Sequence, residues 1–194
     1  MQKASYPILY DIAENQAGYF SARQAEEIHC PRKNLSVLVK GGKLKRVDWG
    51  IYRFTYYPSS PFEDLFIAIL KAGDKSVISH ETVLSVYGIS DLLPGVIHVI
   101  IPKTHSRRRT NIKFHIQKIE ADEITRYQGL PITTIERTIL DVLRSGVDLQ
   151  QVERAVTSAI ERGLTTREKL KSKANHKSQS IQIKLNRILE RMQS

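Results

Sequence analysis

Four hydrogen-bonding side chains, Arg32, Lys33, Asn34 and Ser36, crowd the start of a predicted helix behind Pro31. Their chemistry is recognition. Arginine and lysine donate to guanine O6 and N7, asparagine pairs with adenine, and serine serves either base. A second group, Lys43, Lys45, Arg46 and Arg53, falls in the β-prone segment that follows, where cations would meet phosphate oxygens. Ser21, Arg23 and Lys40 complete the candidate DNA-contacting set.

Such side chains need elements to aim them, and the stretch from Ser21 to Phe54 supplies the signals. Ser21 has the chemistry of an N-cap, accepting from orphan amides of a first helical turn. Pro31 suits the first position of the next helix, where its missing N–H costs nothing. Leu35, Leu38 and Val39 share one face of that helix, while Arg32, Lys33, Ser36 and Lys40 fall largely on the other. Gly41 or Gly42 can take the left-handed conformation that ends it. A two-stranded segment then turns at Asp48-Trp49-Gly50. Helix, proline, helix, double glycine and hairpin in this order predict a winged helix-turn-helix, with the second helix in the major groove. A small amphipathic helix pair with a solvated basic hairpin, or a protein-interaction module, shares parts of the pattern.

The rest of the chain predicts an α+β protein: a winged helix-turn-helix over residues 1–58, then a mixed domain over 59–194 whose small sheet is covered by helices. Ile8, Leu9, Ile12 and Ala13 make the stripe of a first helix from about Tyr6 to Gln16. Two prolines and two serines interrupt the pattern at residues 58–61. Residues 62–72 then read as a helix, and Ser79 reads as the cap of another ending near Gly88. Residues 96–101 and 112–116 read as strands joined by a basic loop, and 123–127 as a third. Thr133 with Glu136, and Thr165 with Glu168, fit capping boxes. A last helix carries the stripe Ile181, Leu185, Ile188, Leu189 and Met192.

The net charge is +10, from 30 Lys+Arg against 20 Asp+Glu. Residues 1–58 carry a net +4, residues 59–145 only +1, and residues 146–194 carry +5. Basic ends around a near-neutral middle favour a polyanionic partner, most simply double-stranded DNA. Cys30 is the only cysteine, so no intrachain disulfide can form and a cytoplasmic protein is expected. The opening residues hold a lone lysine and no long apolar run, so neither a secretion signal nor a membrane anchor is expected.

Enzyme chemistry finds little support. There is no HExxH, no paired cysteines, no phosphate-binding loop, no Asp-x-Asp pair, no Asp/Glu-x-Lys triplet and no nucleophile elbow. Histidines 98, 105 and 115 could converge across two strands, but surface or half-buried strand histidines explain them, and no metal, cofactor or catalytic residue is expected. Arg107, Arg108 and Arg109 form a possible second basic patch in the loop between strands, and lysines 169, 171, 173 and 177 make the C-terminal region positive. Arg137 and Asp141, four apart on one helix, permit a supporting ion pair of ~0.2–0.5 kcal/mol.

The chain also resembles the AbiEi-type antitoxins of abortive-infection (type IV) toxin–antitoxin modules. At the front the resemblance rests on Gly18-Tyr19-Phe20-Ser21, Gln24-Ala25, Leu35, Leu38-Val39, Gly42-Lys43-Leu44, Arg46 and Trp49-Gly50-Ile51-Tyr52. Further on it rests on Ser79-His80-Glu81-Thr82, Tyr87-Gly88-Ile89, and Pro131-Ile132-Thr133-Thr134 followed by Glu136-Arg137-Thr138 and Asp141. Val83 departs from a position where the family pattern often has a small residue. The resemblance implies a winged helix that binds inverted repeats upstream of its own operon and represses it. It also implies a C-terminal domain that neutralises a co-encoded nucleotidyltransferase-like toxin without needing a stable complex. A plain transcription regulator with a sensing or protein-interaction second domain is the alternative.

Overall fold

Each element of the Ser21–Phe54 pattern forms, with a helix before it and another after it. The computed structural model describes residues 5–91, 94–102 and 111–192, and these form a mixed α+β protein. The chain divides into two compact units, one of Met1–Ser76 with Arg126–Leu130 and one of Val77–Thr125 with Pro131–Ser194.

The first unit contains α1 (Ser5–Glu14), β1 (Tyr19–Ser21), α2 (Ala22–Glu27), α3 (Arg32–Lys40), β2 (Leu44–Asp48), β3 (Ile51–Phe54) and α4 (Glu63–Ala72). Its sheet runs in the order β1-β3-β2 with both pairs antiparallel. Leu9, Ala13, Phe20, Ala25, Leu35, Leu38, Leu44 and Phe54 are buried in one core, which joins α1, both short helices and the sheet. Fully burying a large apolar side chain contributes about 1.5–3 kcal/mol, so this core can hold two helices too short to persist alone. Ile8, expected in the α1 stripe, instead lies 46% exposed, because the buried face of α1 is narrower than the sequence stripe. The unit continues past the break at residues 58–61. Tyr19 stacks on Phe66 of α4 at 5.2 Å and donates from its hydroxyl to Glu63 Oε2 at 2.7 Å.

The second unit is built on β4 (Val77–Ile78), β5 (Ile97–Ile101), β6 (Ile112–Ile116), the start of β7 (Ile124–Tyr127) and all but the first residue of β8 (Leu130–Thr133), in a sheet of order β6-β5-β4-β8-β7. The sheet is mixed: β5 is antiparallel to β4, whereas β6 is parallel to β5 and β8 is parallel to β4. Its helices are α5 (His80–Tyr87), α6 (Ile135–Ser145), α7 (Leu149–Glu161), α8 (Arg167–Ala174) and α9 (Gln179–Arg191). Leu84, Ile139, Leu143, Val152, Val156, Leu170 and Leu185 share their core, and the α9 stripe at Ile181, Leu185, Ile188 and Leu189 is buried as expected.

Three caps differ from the sequence reading. Thr134, not Thr133, caps α6 by accepting from Arg137 N–H, because Thr133 is still in β8 and its hydroxyl is bonded to that of Thr138 at 2.6 Å. Thr166, not Thr165, caps α8, while the buried Thr165 hydroxyl donates to Glu136 Oε1 at 2.6 Å. Ser79 does sit at the N-cap of α5, but its hydroxyl makes no capping bond and lies 2.9 Å from His80 Nδ1.

Arg137 has the most heavily bonded buried side chain in this unit. Its Nε donates to Asp141 Oδ2 at 2.7 Å, one terminal nitrogen donates to Glu123, and the other donates to Gln117 Oε1 at 2.6 Å. With Arg137 and Asp141 only 5% and 3% exposed, the surface estimate made from their spacing does not apply. Removing one partner of a buried pair strands the other charge.

Candidate nucleic-acid interface

The turn between α2 and α3 decides how the second helix is presented. Ser21 Oγ accepts from Gln24 N–H at 3.1 Å, and Gln24 Oε1 accepts from Ser21 N–H at 2.9 Å, a reciprocal capping box that fixes the start of α2. At the far end His29 takes the left-handed conformation (φ 58°), which lets Cys30 N–H reach back to Ala25 O at 2.8 Å. Pro31 then occupies the N-cap position, one residue earlier than its expected place, and Arg32 begins the helix. Gly42 (φ 70°) closes α3: Lys43 N–H bonds Leu38 O at 3.0 Å and Gly42 N–H bonds Val39 O at 3.0 Å. These paired bonds at a left-handed residue are the Schellman geometry. They lead the chain directly into β2.

This frame separates α3 into two faces. Leu35 and Leu38 are buried, whereas Arg32, Lys33, Ser36, Val37 and Lys40 are exposed and Asn34 is half-buried. Lys43, Lys45 and Arg46 are exposed on the hairpin side. Lys33, Lys40, Lys43, Lys45 and Arg46 form no ion pair with any described residue. Arg32 is exposed but tethered, its Nε 2.6 Å from Glu26 Oε1 on α2. Ser36 Oγ donates to Arg32 O at 3.2 Å. Trp49 stands 80% exposed at the hairpin tip, with the Arg46 guanidinium over its ring at 4.6 Å.

The other predicted contacts lie differently. Ser21 is buried, with its hydroxyl spent on the α2 cap. Arg53 is buried too, donating to Tyr57 O at 2.8 Å with its guanidinium over the Tyr19 ring. Facing inward from β3, it supports the sheet. Arg23 is exposed and paired with Asp74 at 2.5 Å and with Glu27 at 3.6 Å. Arg107, Arg108 and Arg109 lie outside the described residues.

The helix pair, the Schellman turn and the hairpin with its exposed cations lie in one stretch of sequence, and that stretch matches a known family. Residues 7–55 match the family model described as "Transcriptional regulator, AbiEi antitoxin". The match covers about a quarter of the chain and spans α1 almost entirely, both short helices and the three-stranded sheet. No curated protein matches the sequence. No helix among the described residues is long and apolar enough to cross a membrane.

Sequence reasoning passed over two features of this surface. Trp49 counted only as part of a turn and as a mark of resemblance, because nothing in its type says that the ring stands exposed beneath a guanidinium. The Glu26–Arg32 tether crosses the α2–α3 turn, and its six-residue spacing has no helical periodicity to reveal it.

In the second unit, among the described residues, one group could hold a metal. His80 at the start of α5, His98 on β5 and His115 on β6 place ligand-capable nitrogens all within 4.8 Å of one another. The His80 and His115 rings stack at 3.7 Å. Burial pushes His80 down to about 4 and His115 down to about 3, so both imidazoles are neutral near pH 7. The strand histidines 98 and 115 do converge, as the sequence allowed, while His105 lies outside the described residues. The third member, His80, was missed because it comes from a helix start.

Proposed function

We propose that this chain is a DNA-binding transcriptional autorepressor and the antitoxin of a type IV, abortive-infection module that counteracts a nucleotidyltransferase-like toxin. The observation that carries the reading is a set of exposed cations from α3 to β2 that make no ion pair among the described residues, inside the stretch that matches AbiEi regulators. Arg32, Lys33, Asn34 and Ser36 are the proposed base readers, since residues near the N-terminus of such a helix reach the major-groove edges. Lys40, Lys43, Lys45 and Arg46 are the proposed phosphate contacts. Ser21 and Arg53 hold the frame beneath them. Inverted repeats upstream of its own operon are the expected DNA, each half-site taking one winged helix.

A transcriptional reporter driven by the chain's own upstream region tests autorepression. Wild-type protein should lower its output, and Arg32→Ala should release it. Co-expression with the neighbouring toxin gene tests the second role, with growth restored by the full chain. Unchanged reporter output would sink autorepression, and unrelieved toxicity would sink the antitoxin role. A regulator whose second unit senses a ligand is the second reading, favoured by the buried histidine cluster. It predicts repression that changes with the ligand and no rescue from the toxin.

A further inference from the structure

The four residues Ser79-His80-Glu81-Thr82 all point their interactions at one strand position, His98. Ser79 N–H donates to His98 O at 3.0 Å, and His98 N–H donates to Thr82 Oγ1 at 2.9 Å. The strand residue is therefore held by its backbone on both sides. Glu81 Oε2 lies 2.7 Å from His98 Nδ1, yet it is a buried oxygen with no aligned hydrogen bond. His115 Nε2 lies 3.3 Å from the same His98 Nδ1. His80 is held in the left-handed region (φ 54°), a conformation strained for a non-glycine residue.

We propose that His80, His98 and His115, with Glu81 as the fourth ligand, form a binding site for one divalent transition-metal ion of borderline softness, Zn2+ before others. Three imidazoles and a carboxylate are a ligand set that zinc takes in tetrahedral geometry. With Zn–N distances of ~2.0–2.1 Å, neighbouring ligand nitrogens stand about 3.3–3.4 Å apart. The His98–His115 nitrogens already have that separation, at 3.3 Å. Rotation of the stacked His80 ring brings in its nitrogen from within 4.8 Å. Ser79 Oγ, 2.9 Å from His80 Nδ1, accepts the Nδ1 proton and leaves Nε2 as the ligand atom, the outer hydrogen bond that metal-bound histidines ordinarily make. A cation also gives this Glu81 oxygen a second close partner beside His98 Nδ1. The ligands come from α5, β5 and the edge strand β6, so the ion ties that edge to the helix. Four protein ligands make the site closed, hence structural in kind. This inference stands apart from DNA binding, which involves none of these residues.

The test uses the untagged full chain, stripped with EDTA and titrated with Zn2+ against a chromophoric chelator. Co2+ serves as a visible probe of tetrahedral coordination. Wild type should bind one equivalent of Zn2+, gain thermal stability with it, and show intense tetrahedral Co2+ bands. His115→Gln, at a half-buried edge position, should lose at least tenfold in affinity and lose the Co2+ bands while keeping its far-ultraviolet circular dichroism. Ser79→Ala should weaken binding by roughly tenfold through the outer hydrogen bond alone. His176→Gln, on an exposed turn, should change nothing. Wild-type protein that binds no Zn2+ more tightly than His115→Gln, or that keeps full stoichiometry after all three histidines are replaced, would overturn the proposal and leave a hydrogen-bonded histidine cluster.

Discussion

The two units treat charge in opposite ways. On α3 and β2 of the first unit, Lys33, Lys40, Lys43, Lys45 and Arg46 are left exposed and without ion pairs among the described residues. In the second unit Arg137 is buried with Asp141, Glu123 and Gln117 at every donor group, and Glu81 is half-buried beside His98. A cation in water is inexpensive to keep and available to any polyanion, whereas a buried one must be matched on the spot. On the proposed reading the exposed group serves recognition and the buried group holds the fold, and each half of that division can be broken by mutation.

The largest effect is expected at the buried network. Asp141→Ala strands the Arg137 guanidinium and should destabilise the second unit by about 3–5 kcal/mol, read as a lowered urea midpoint. Replacing this pair at once, as Arg137→Met with Asp141→Leu, should recover part of that loss, because an apolar pair avoids its own desolvation cost while Glu123 keeps, among the described residues, only its ion pair with Lys177, 3.5 Å away. If the double variant is no better than the single one, the network does more than satisfy its own charges.

Next come the proposed base readers. Arg32→Ala should cost ~1–3 kcal/mol of discrimination between operator and scrambled DNA, measured as the ratio of the two dissociation constants. Lys45→Ala should weaken both DNAs alike and reduce the slope of log affinity against log salt by about one. Equal effects of both variants on both DNAs would erase the distinction between reading and positioning.

The smallest effect concerns the tether. Glu26→Ala frees Arg32 and removes a carboxylate from the same surface, so affinity should rise by the equivalent of ~0.2–1 kcal/mol, the worth of an exposed ion pair. A loss of affinity would mean that Glu26 orients Arg32 for its contact.

Much of the first unit was legible because its signals are local. Ser21, Pro31 and the Gly41-Gly42 pair each restrict the backbone within a few residues, so the start of α2 and both ends of α3 were misplaced by at most one position, while the uncapped end of α1 was misplaced by two. Its one opaque cation was Arg53, since alternation along β3 fails when all four residues are buried. The second unit was legible in its elements but not in its connections. Nothing in two runs of β-branched residues says that they pair in parallel, or that β4, only two residues long, stands between β5 and β8. The caps of α6 and α8 slipped by one because adjacent threonines, Thr133-Thr134 and Thr165-Thr166, offer the same chemistry twice. The histidine cluster joins residues 17 apart along the chain and more, and no spacing rule reaches across a sheet.

The central claim is that the exposed polar face of α3, with the cations that follow it, makes a sequence-specific DNA reader. Its most direct test is a mobility-shift titration of the full chain on its own upstream region, against scrambled DNA of equal length, at several salt concentrations. The account predicts tight binding that survives scrambled competitor and falls steeply with salt, as release of several phosphate counterions requires. Binding that is lost equally from both DNAs on adding competitor would contradict it and leave the winged helix as a generic or protein-facing surface.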